Sequence, residues 1–564
     1  MVLRVGILGL LAAAASFAQT PVTGVPDTVY YNGKIITVNS AFAIDEAFAV
    51  RGDRFLAVGK SASVRALAGP ATRLVDLQGR TVIPGLIDNH LHQYRGASTI
   101  LRGAEMAGAR SLKELLERLG KAVTSAKPGQ PVLAGGGWDP REFPEKRAPT
   151  RQELDQLAPH NPLLLVRTRS QLFLNTLAIK AAGITRQTEQ IGGIPIPKDA
   201  AGEPTGEIDE PQAVTPVTNK LIPPPDDNEK KQLILRAQQV LNAAGLTSIR
   251  ELSLAPEIMR LYSDLRRENK LTVRVSMGME ANASDADRLE EMLRPWGLGT
   301  GFGDDWLRLD SVAEFSVDSG VEAAWLRMAH LGERSDYRGD SRISADKLKT
   351  AVGVMQRYGW RPSIHLIGDQ ALDLALDAYE AANQRSPIGP RRWTVEHIPV
   401  SQPDQMDRLA KLGVIISAQI QPYLDAPAML KDWGQERAER AVPVREWLDH
   451  KLMVGSGTDW PARTLSPFVT IYFYVTRKVV DGSALGLAQK ISRQEALRLA
   501  TINNAYITFE ETSKGSIEPG KLADFLVLSD DFLTAPEDRI RSLHPVATYV
   551  GGRKVYSDRQ GAAY

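Results

Sequence analysis

The sequence predicts an α/β protein: a parallel barrel of alternating strands and helices, carrying an insertion, with a small β-sandwich built from both chain ends. Three observations carry that prediction. Between about residues 81 and 505, short apolar runs alternate with amphipathic stretches such as 227–244, 345–358 and 493–500, the pattern of strands covered by helices. Several of those runs end in a residue able to ligate a metal, and a parallel barrel gathers the C-terminal ends of its strands at one mouth. Outside this region, both ends of the chain alternate apolar and polar residues in the manner of paired strands.

Taken in order, residues 1–18 read as a secretory signal peptide. Arg4 precedes an apolar run, 5–15, too short to span a bilayer, and Ser16-Phe17-Ala18 puts small residues where a signal peptidase cleaves. The expected location is the periplasm or the medium, with no membrane attachment after cleavage. The chain has no cysteine, so it can form no disulfide and carries no cysteine for a lipid anchor. Residues 19–80 supply the first part of the sandwich, with strands in 29–38 and 47–58 around turns at Asn32-Gly33 and Arg51-Gly52-Asp53.

The barrel, 81–505, opens with an apolar run that ends in His90-Leu91-His92. Alternate side chains of a strand point the same way, so His90 and His92 can offer imidazole nitrogens to one divalent ion. An insertion is expected over about 100–225, closing in a stretch with prolines at 195, 197, 204, 211, 216, 223, 224 and 225. The run 361–365 ends in His365 and leads into an amphipathic segment, 371–382, that reads as a helix. The run 393–397 ends in His397, and 452–459 ends in Asp459, with Pro461 preventing continuation. Only 8 histidines occur in the chain, so four at the ends of strand-like runs is a concentration of the ligands that an open, catalytic Zn2+-type site uses. The others, His160 in a Pro-rich turn, His330 in a helical stretch, His450 beside Lys451 and His544 before Pro545, are expected to be solvated or capping. Residues 506–564 return to strands at 525–528, 546–550 and 554–556, with Gly551-Gly552 as a hairpin turn.

Composition narrows the partners. An apolar content of 43%, 24% charged residues and a net charge of +1 describe an ordinary globular chain with no electrostatic reason to bind nucleic acid or acidic lipid. A small-molecule substrate is the partner expected; a homo-oligomer is left open.

The His-x-His after Pro84-Gly85-Leu86-Ile87-Asp88, the two single histidines and the late aspartate resemble the amidohydrolase superfamily, and within it the amidohydrolase-3, YtcJ-like branch. Gly135-Gly136-Gly137-Trp138-Asp139, Pro149-Thr150-Arg151, Ala158-Pro159-His160-Asn161-Pro162, His365-Leu366-Ile367-Gly368-Asp369 and Gly515-Ser516-Ile517-Glu518-Pro519-Gly520 extend the likeness from about Asp27 to near the C-terminus. The resemblance implies a TIM-like (β/α)8 barrel and a metal-dependent hydrolase of carbon–nitrogen bonds other than peptide bonds. It also implies two divalent ions, Zn2+ foremost, with Mn2+, Fe2+ or Ni2+ accepting the same ligands. His90, His92 and Asp459 would hold one ion, His365 and His397 the other. A metal-activated hydroxide would attack, and Asp459 would pass its proton to the leaving amine.

Two departures stand out. The branch usually bridges its metals with a carboxylated lysine four residues before an aspartate; here Asp318 is in register and Glu314 stands at the lysine position. A glutamate presents the same pair of oxygens sharing one negative charge on a shorter arm, so Glu314 is expected to be the bridge. The other reading is a lost metal site. Where the branch often has a histidine, the chain has Gln171, which bears on substrate identity. Gln171, Trp138, Arg250 and Glu251 are the candidate substrate contacts, Arg250 and Glu251 serving equally well as a salt-bridging pair. Glu396 is expected to point away from the ligands, Asp318 to be structural, and Asp369 to cap a helix. The function expected is an exported amidohydrolase acting on a small molecule such as an N-acyl or N-formyl amine. The alternatives are a mononuclear deaminase or an esterase of the same fold, and a metal-impaired binding protein.

Overall fold

Eight parallel strands make up one sheet, each beside its predecessor: β1 (Leu86–Leu91), β2 (Leu246–Leu254), β3 (Arg274–Met279), β4 (Leu307–Ser316), β5 (Arg361–Leu366), β6 (Thr394–His397), β7 (Ile415–Ala418) and β8 (Val454–Ser456). The structure is a computed structural model that describes residues 23–558 other than 107, 169 and 332–335, so the expected signal peptide lies outside the described residues. β1 and β3 are buried along their whole length, as parallel strands covered by helices on one face and filled by side chains on the other must be. The ends of the sheet meet. The Asp459 N–H donates to the His90 carbonyl and the His92 N–H to the Trp460 carbonyl, both at 2.8 Å. Gly457 permits this approach, since a Cβ there would lie 2.7 Å from the His90 nitrogen. The sheet is thus a nearly closed TIM-like barrel, and its closure brings the residue after β8 against the end of β1.

The covering helices start where local chemistry dictates. Asp226 accepts the Glu229 N–H ahead of helix Asp227–Ala243, and Pro256 and Pro403 stand at the first positions of helices Pro256–Arg267 and Pro403–Leu412. The last of these ends at Gly413 with φ of +66°, a conformation glycine adopts without a Cβ penalty. Helices Ala345–Arg357 and Asp369–Arg385 bury Leu348, Val352, Leu372 and Leu376 against the sheet. Among the described residues no helix is long and apolar enough to cross a membrane.

The chain ends build two further sheets, the first from N-terminal strands alone and the second from both ends. One has the strands Arg54–Gly59, Ala47–Arg51, Thr28–Tyr31 and Arg73–Asp76; the other runs Arg553–Ser557, Pro545–Val550, Phe525–Leu528, Thr81–Pro84, Lys34–Ile36 and Ile44–Asp45. Phe525–Leu528 pairs antiparallel with Thr81–Pro84, joining the end of the chain to its beginning. An aromatic core fills the space between the sheets: Phe525 stacks on Tyr549 with ring centres 4.3 Å apart, and Tyr30 on Phe48 at 4.8 Å. Thr81–Pro84 leads through Gly85 directly into β1, so this core anchors the strand that carries His90.

Between β1 and β2 lies a five-stranded sheet of Glu207–Asp209, Gln171–Leu174, Leu163–Thr168, Val132–Gly135 and Ala104–Glu105, with its own apolar clusters around Leu119, Phe173 and Ile179. One histidine departs from expectation. His330 is neither helical nor solvated: it is buried, and its Nε2 lies 2.8 Å from the Ala324 carbonyl. The reason is that the backbone N–H groups of Trp325 and Arg327 are taken by Asp318 and Asp369, so this apolar segment cannot close helical hydrogen bonds.

Candidate metal centre

The barrel brings together six side chains from five strand ends. His90 comes from β1 and His92 from the position just past its end, Glu314 from β4, His365 from β5, His397 from β6, and Asp459 from just beyond β8. Glu314 sits at the middle. Its Oε2 is 3.3 Å from His90 Nε2 and 3.7 Å from His397 Nε2, while its Oε1 is 3.7 Å from His365 Nδ1 and 3.9 Å from His92 Nε2. Asp459 Oδ1 lies 3.6 Å from His90 Nε2 and 3.7 Å from His92 Nε2. Ligands held at about 2.1 Å by one tetrahedral ion stand about 3.4 Å from each other, so these separations are those of a ligand shell.

Two trios of ligand atoms each lie within 4.8 Å of one another, His90/His92/Asp459 and His90/Glu314/His397. His365 joins the second trio through Glu314. The donor set fits a divalent ion, and the unmet hydrogen-bonding capacity agrees: His90 Nε2, Glu314 Oε2 and His365 Nδ1 are buried without a hydrogen-bond partner. Groups left in that state are costly unless a cation completes them.

The far side of each imidazole is held. His90 Nδ1 lies 2.7 Å from Glu396 Oε2, His92 Nδ1 3.0 Å from the Leu252 carbonyl, His365 Nε2 3.3 Å from the Ser319 carbonyl, and His397 Nδ1 2.9 Å from the Gln421 side-chain amide. A carboxylate or carbonyl oxygen at one ring nitrogen of His90, His92 and His365 takes that nitrogen's proton and leaves the other nitrogen's lone pair for the metal; His397 is left in the same state when the Gln421 amide turns its unpaired oxygen onto Nδ1. Burial strongly disfavours a charged His90, but the Glu314, Glu396 and Asp459 carboxylates outweigh it and lift its pKa to about 9. His92, buried and beside Arg95, is pushed down to about 3. Burial opposes a charged Glu314 too, yet the surrounding histidines hold its pKa well below the usual range, so it is an anion ready for cations.

Several expected roles need correction. Arg250 is not at a strand end: β2 runs on to Leu254, which places Arg250 inside the barrel, fully buried. There its Nε donates to Asp310 at 2.6 Å and its Nη1 to Glu396 at 2.7 Å, while Arg361 pairs with the same Asp310. These are the salt-bridging contacts that the sequence allowed as its other role. Glu251 is likewise buried; it accepts the N–H groups of Gln93 and Tyr94 at the start of helix Gln93–Gly96, and burial raises its pKa to about 8. Glu396 does not turn away from the ligands. The backbone at His397 is left-handed (φ +69°), which breaks the two-residue alternation, so Glu396 points into the barrel beneath His90 while His397 points into the mouth. Asp369 opens helix Asp369–Arg385 at the first turn without capping it, its carboxylate accepting from the Arg327 N–H at 2.7 Å and the Gln402 amide at 3.0 Å. Asp318 accepts the Ile367 and Gly368 N–H groups and fixes the turn after His365.

Gln171 belongs to the inserted sheet, where its amide donates to Glu207 at 2.6 Å and accepts from Arg167 at 2.8 Å. Trp138 is buried with its Nε1–H on the Val166 carbonyl, and it lines a cavity of about 490 Å³ together with Asp139, Arg167, Trp460 and Arg463. Arg463 brings that cavity next to the ligand cluster, its Nε 3.9 Å from Asp459 Oδ2. Sequence reasoning missed Arg463, although its place four residues after Asp459 is a signal.

A parallel barrel whose strand ends converge in four histidines and two carboxylates, with buried ligand atoms left unpaired, defines a metal-dependent barrel enzyme. Residues 73–556 match the profile described as Amidohydrolase family, and the chain belongs to that family. It is a hydrolase of carbon–nitrogen bonds. Among curated relatives, it is 29% identical to Protein LONG AFTER FAR-RED 3 of Arabidopsis thaliana, over 95% of this chain and 93% of that one. It is 28% identical to N-substituted formamide deformylase of Arthrobacter pascens, over 94% of this chain and 98% of that one. A metal-dependent hydrolase from Pyrococcus furiosus superposes with a TM-score of 0.68 at 26% identity, covering 90% of this chain and 100% of that one.

Proposed function

We propose that this protein is an exported amidohydrolase that cleaves the amide bond of a small N-acyl or N-formyl amine, with two divalent ions held by His90, His92, Glu314, His365, His397 and Asp459. The observation that carries this reading is the central position of Glu314, each of whose oxygens faces two imidazoles. Zn2+ is the ion the imidazole and carboxylate set favours, and ions bound there would supply Lewis acidity, lowering the pKa of water and polarising the scissile carbonyl. Asp459 has one oxygen directed at His90 and His92, which leaves Oδ2 to take a proton from water and return it to the departing nitrogen. Glu396 holds the His90 ring in place from below. The cavity walls at Trp138, Leu424, Trp460 and Phe468 suit an apolar substituent on the acyl or amine side. The deformylase relative supports the formyl end of the substrate range, and the N-terminal run 5–18 supports export.

The test is a panel of N-formyl amines, N-acyl amines, aryl esters and heterocyclic amines presented to the purified mature chain, with cell fractionation alongside. The expected result is release of amine and carboxylate from formyl or acyl amides, lost on chelation, restored by Zn2+, and found outside the cytoplasm. Ammonia release from a heterocyclic amine with no amide turnover would replace this reading with a deaminase.

A further inference from the structure

Asp459 divides its two oxygens between different neighbours. Oδ1 faces His90 and His92 at 3.6 and 3.7 Å, whereas Oδ2 faces the Arg463 Nε at 3.9 Å. That Nε is buried and makes no hydrogen bond. The rest of the guanidinium is fixed: Nη2 donates to Asp425 at 2.6 Å and Nη1 reaches the Gln421 carbonyl at 3.5 Å. Gln421 is the residue whose amide lies on His397, so one helix, Gln421–Trp433, steadies both Arg463 and a ligand.

The anchorage continues into the inserted sheet. Asp425 also accepts from Arg141 at 2.8 Å, Arg141 pairs with Asp139 at 2.7 Å, and Arg167 donates to the same Asp139 at 3.0 Å. Alternating charges therefore run from the insertion, Arg167–Asp139–Arg141–Asp425–Arg463, to the free oxygen of Asp459. Each carboxylate in the run is shared by two guanidiniums, and an arginine's planar fork is suited to hold such a geometry.

We infer that Arg463 is a positioning residue for Asp459. It fixes the rotation of the carboxylate so that Oδ1 faces His90 and His92 while Oδ2 is kept on the side of Arg463 and the cavity, where it can exchange the proton, and it is itself held by the insertion through Asp425 and Arg141. The inference rests on the metal-site reading above. Its physical basis is that groups hydrogen-bonded to a ligating carboxylate orient the ligand and tune its hold on the metal, and that small misplacements of reacting groups are costly.

The experiment compares wild type with Arg463→Met, Arg463→Lys and Arg141→Ala, measuring Zn2+ affinity by competition with a chromophoric chelator, and kcat and KM on whichever amide the wild type hydrolyses. Arg463→Met is expected to weaken Zn2+ binding by about 10- to 100-fold and to lower kcat by about 100-fold with KM little changed. Arg463→Lys should restore part of both, and Arg141→Ala should show a smaller loss in the same direction. Wild-type affinity and kcat in Arg463→Met would overturn the inference, and so would a rise in KM alone, which marks a substrate-binding arginine. If the wild type itself binds no Zn2+, the metal-site reading has failed rather than the role of Arg463. Near-ultraviolet circular dichroism of each variant separates these outcomes from misfolding.

Discussion

Glu314→Gln is expected to remove almost all activity, lowering kcat by about 1000-fold or more and weakening metal binding at both positions. The substitution keeps the length and shape of the side chain. It removes the negative charge and turns one oxygen into an amide nitrogen, which cannot coordinate a cation. Since Oε2 faces His90 and His397, and Oε1 faces His92 and His365, either orientation of the amide sets N–H donors against two imidazoles that should be presenting lone pairs. The loss therefore falls on both halves of the centre. Glu314→Asp, one methylene shorter, keeps the charge and should retain metal with reduced turnover. Steady-state kinetics with metal analysis of each variant checks this, and a Glu314→Gln enzyme equal to wild type in both respects would mark Glu314 as a bystander.

Arg250→Met is expected to cost about 3–5 kcal/mol of stability, because it leaves buried carboxylates without their cation. Beneath the centre, Arg250 and Arg361 face Asp310 and Glu396 with every one of the four buried. Those charges balance only as a set. Arg250 holds the carboxylate pKa values of Asp310 and Glu396 below the ordinary range against a burial that would raise them. Removing it also frees Glu396, whose other oxygen is the 2.7 Å partner of His90, so metal affinity should fall with stability. Urea unfolding of the zinc-loaded enzyme measures the first effect. Unchanged stability with a raised KM would instead return Arg250 to the substrate site.

The positions of the metal-ligand candidates were legible because strand periodicity and barrel topology are long-range rules with few exceptions. His90 and His92, two residues apart at the end of one strand-like run, are expected to share a face, and strand ends in a parallel barrel share a mouth. What was not legible depends on local breaks of those rules. Glu396 faces inward because His397 adopts a left-handed backbone, which the residue types at 396–397 do not announce. Arg250 and Glu251 followed an apparent strand end at Ile249, but β2 continues for five more residues with polar side chains inside the barrel, where pairing with Asp310 and Glu396 takes the place of apolar packing. His330 departs from the expectation because an apolar, helix-like stretch has backbone donors captured by two carboxylates, Asp318 just before it and Asp369 in a later helix. Arg463 needed the fold: its meaning lies in the approach of Asp425 and Arg141, 38 and 322 positions away along the chain.

The central claim is that one carboxylate, Glu314, allows this chain to hold two ions. Metal content per chain tests it most directly, by elemental mass spectrometry on the mature protein purified without chelator or affinity metal and then reconstituted with Zn2+. The account predicts about two equivalents in the wild type, falling to one or fewer in Glu314→Gln. A wild type that takes up about one equivalent or none would contradict it.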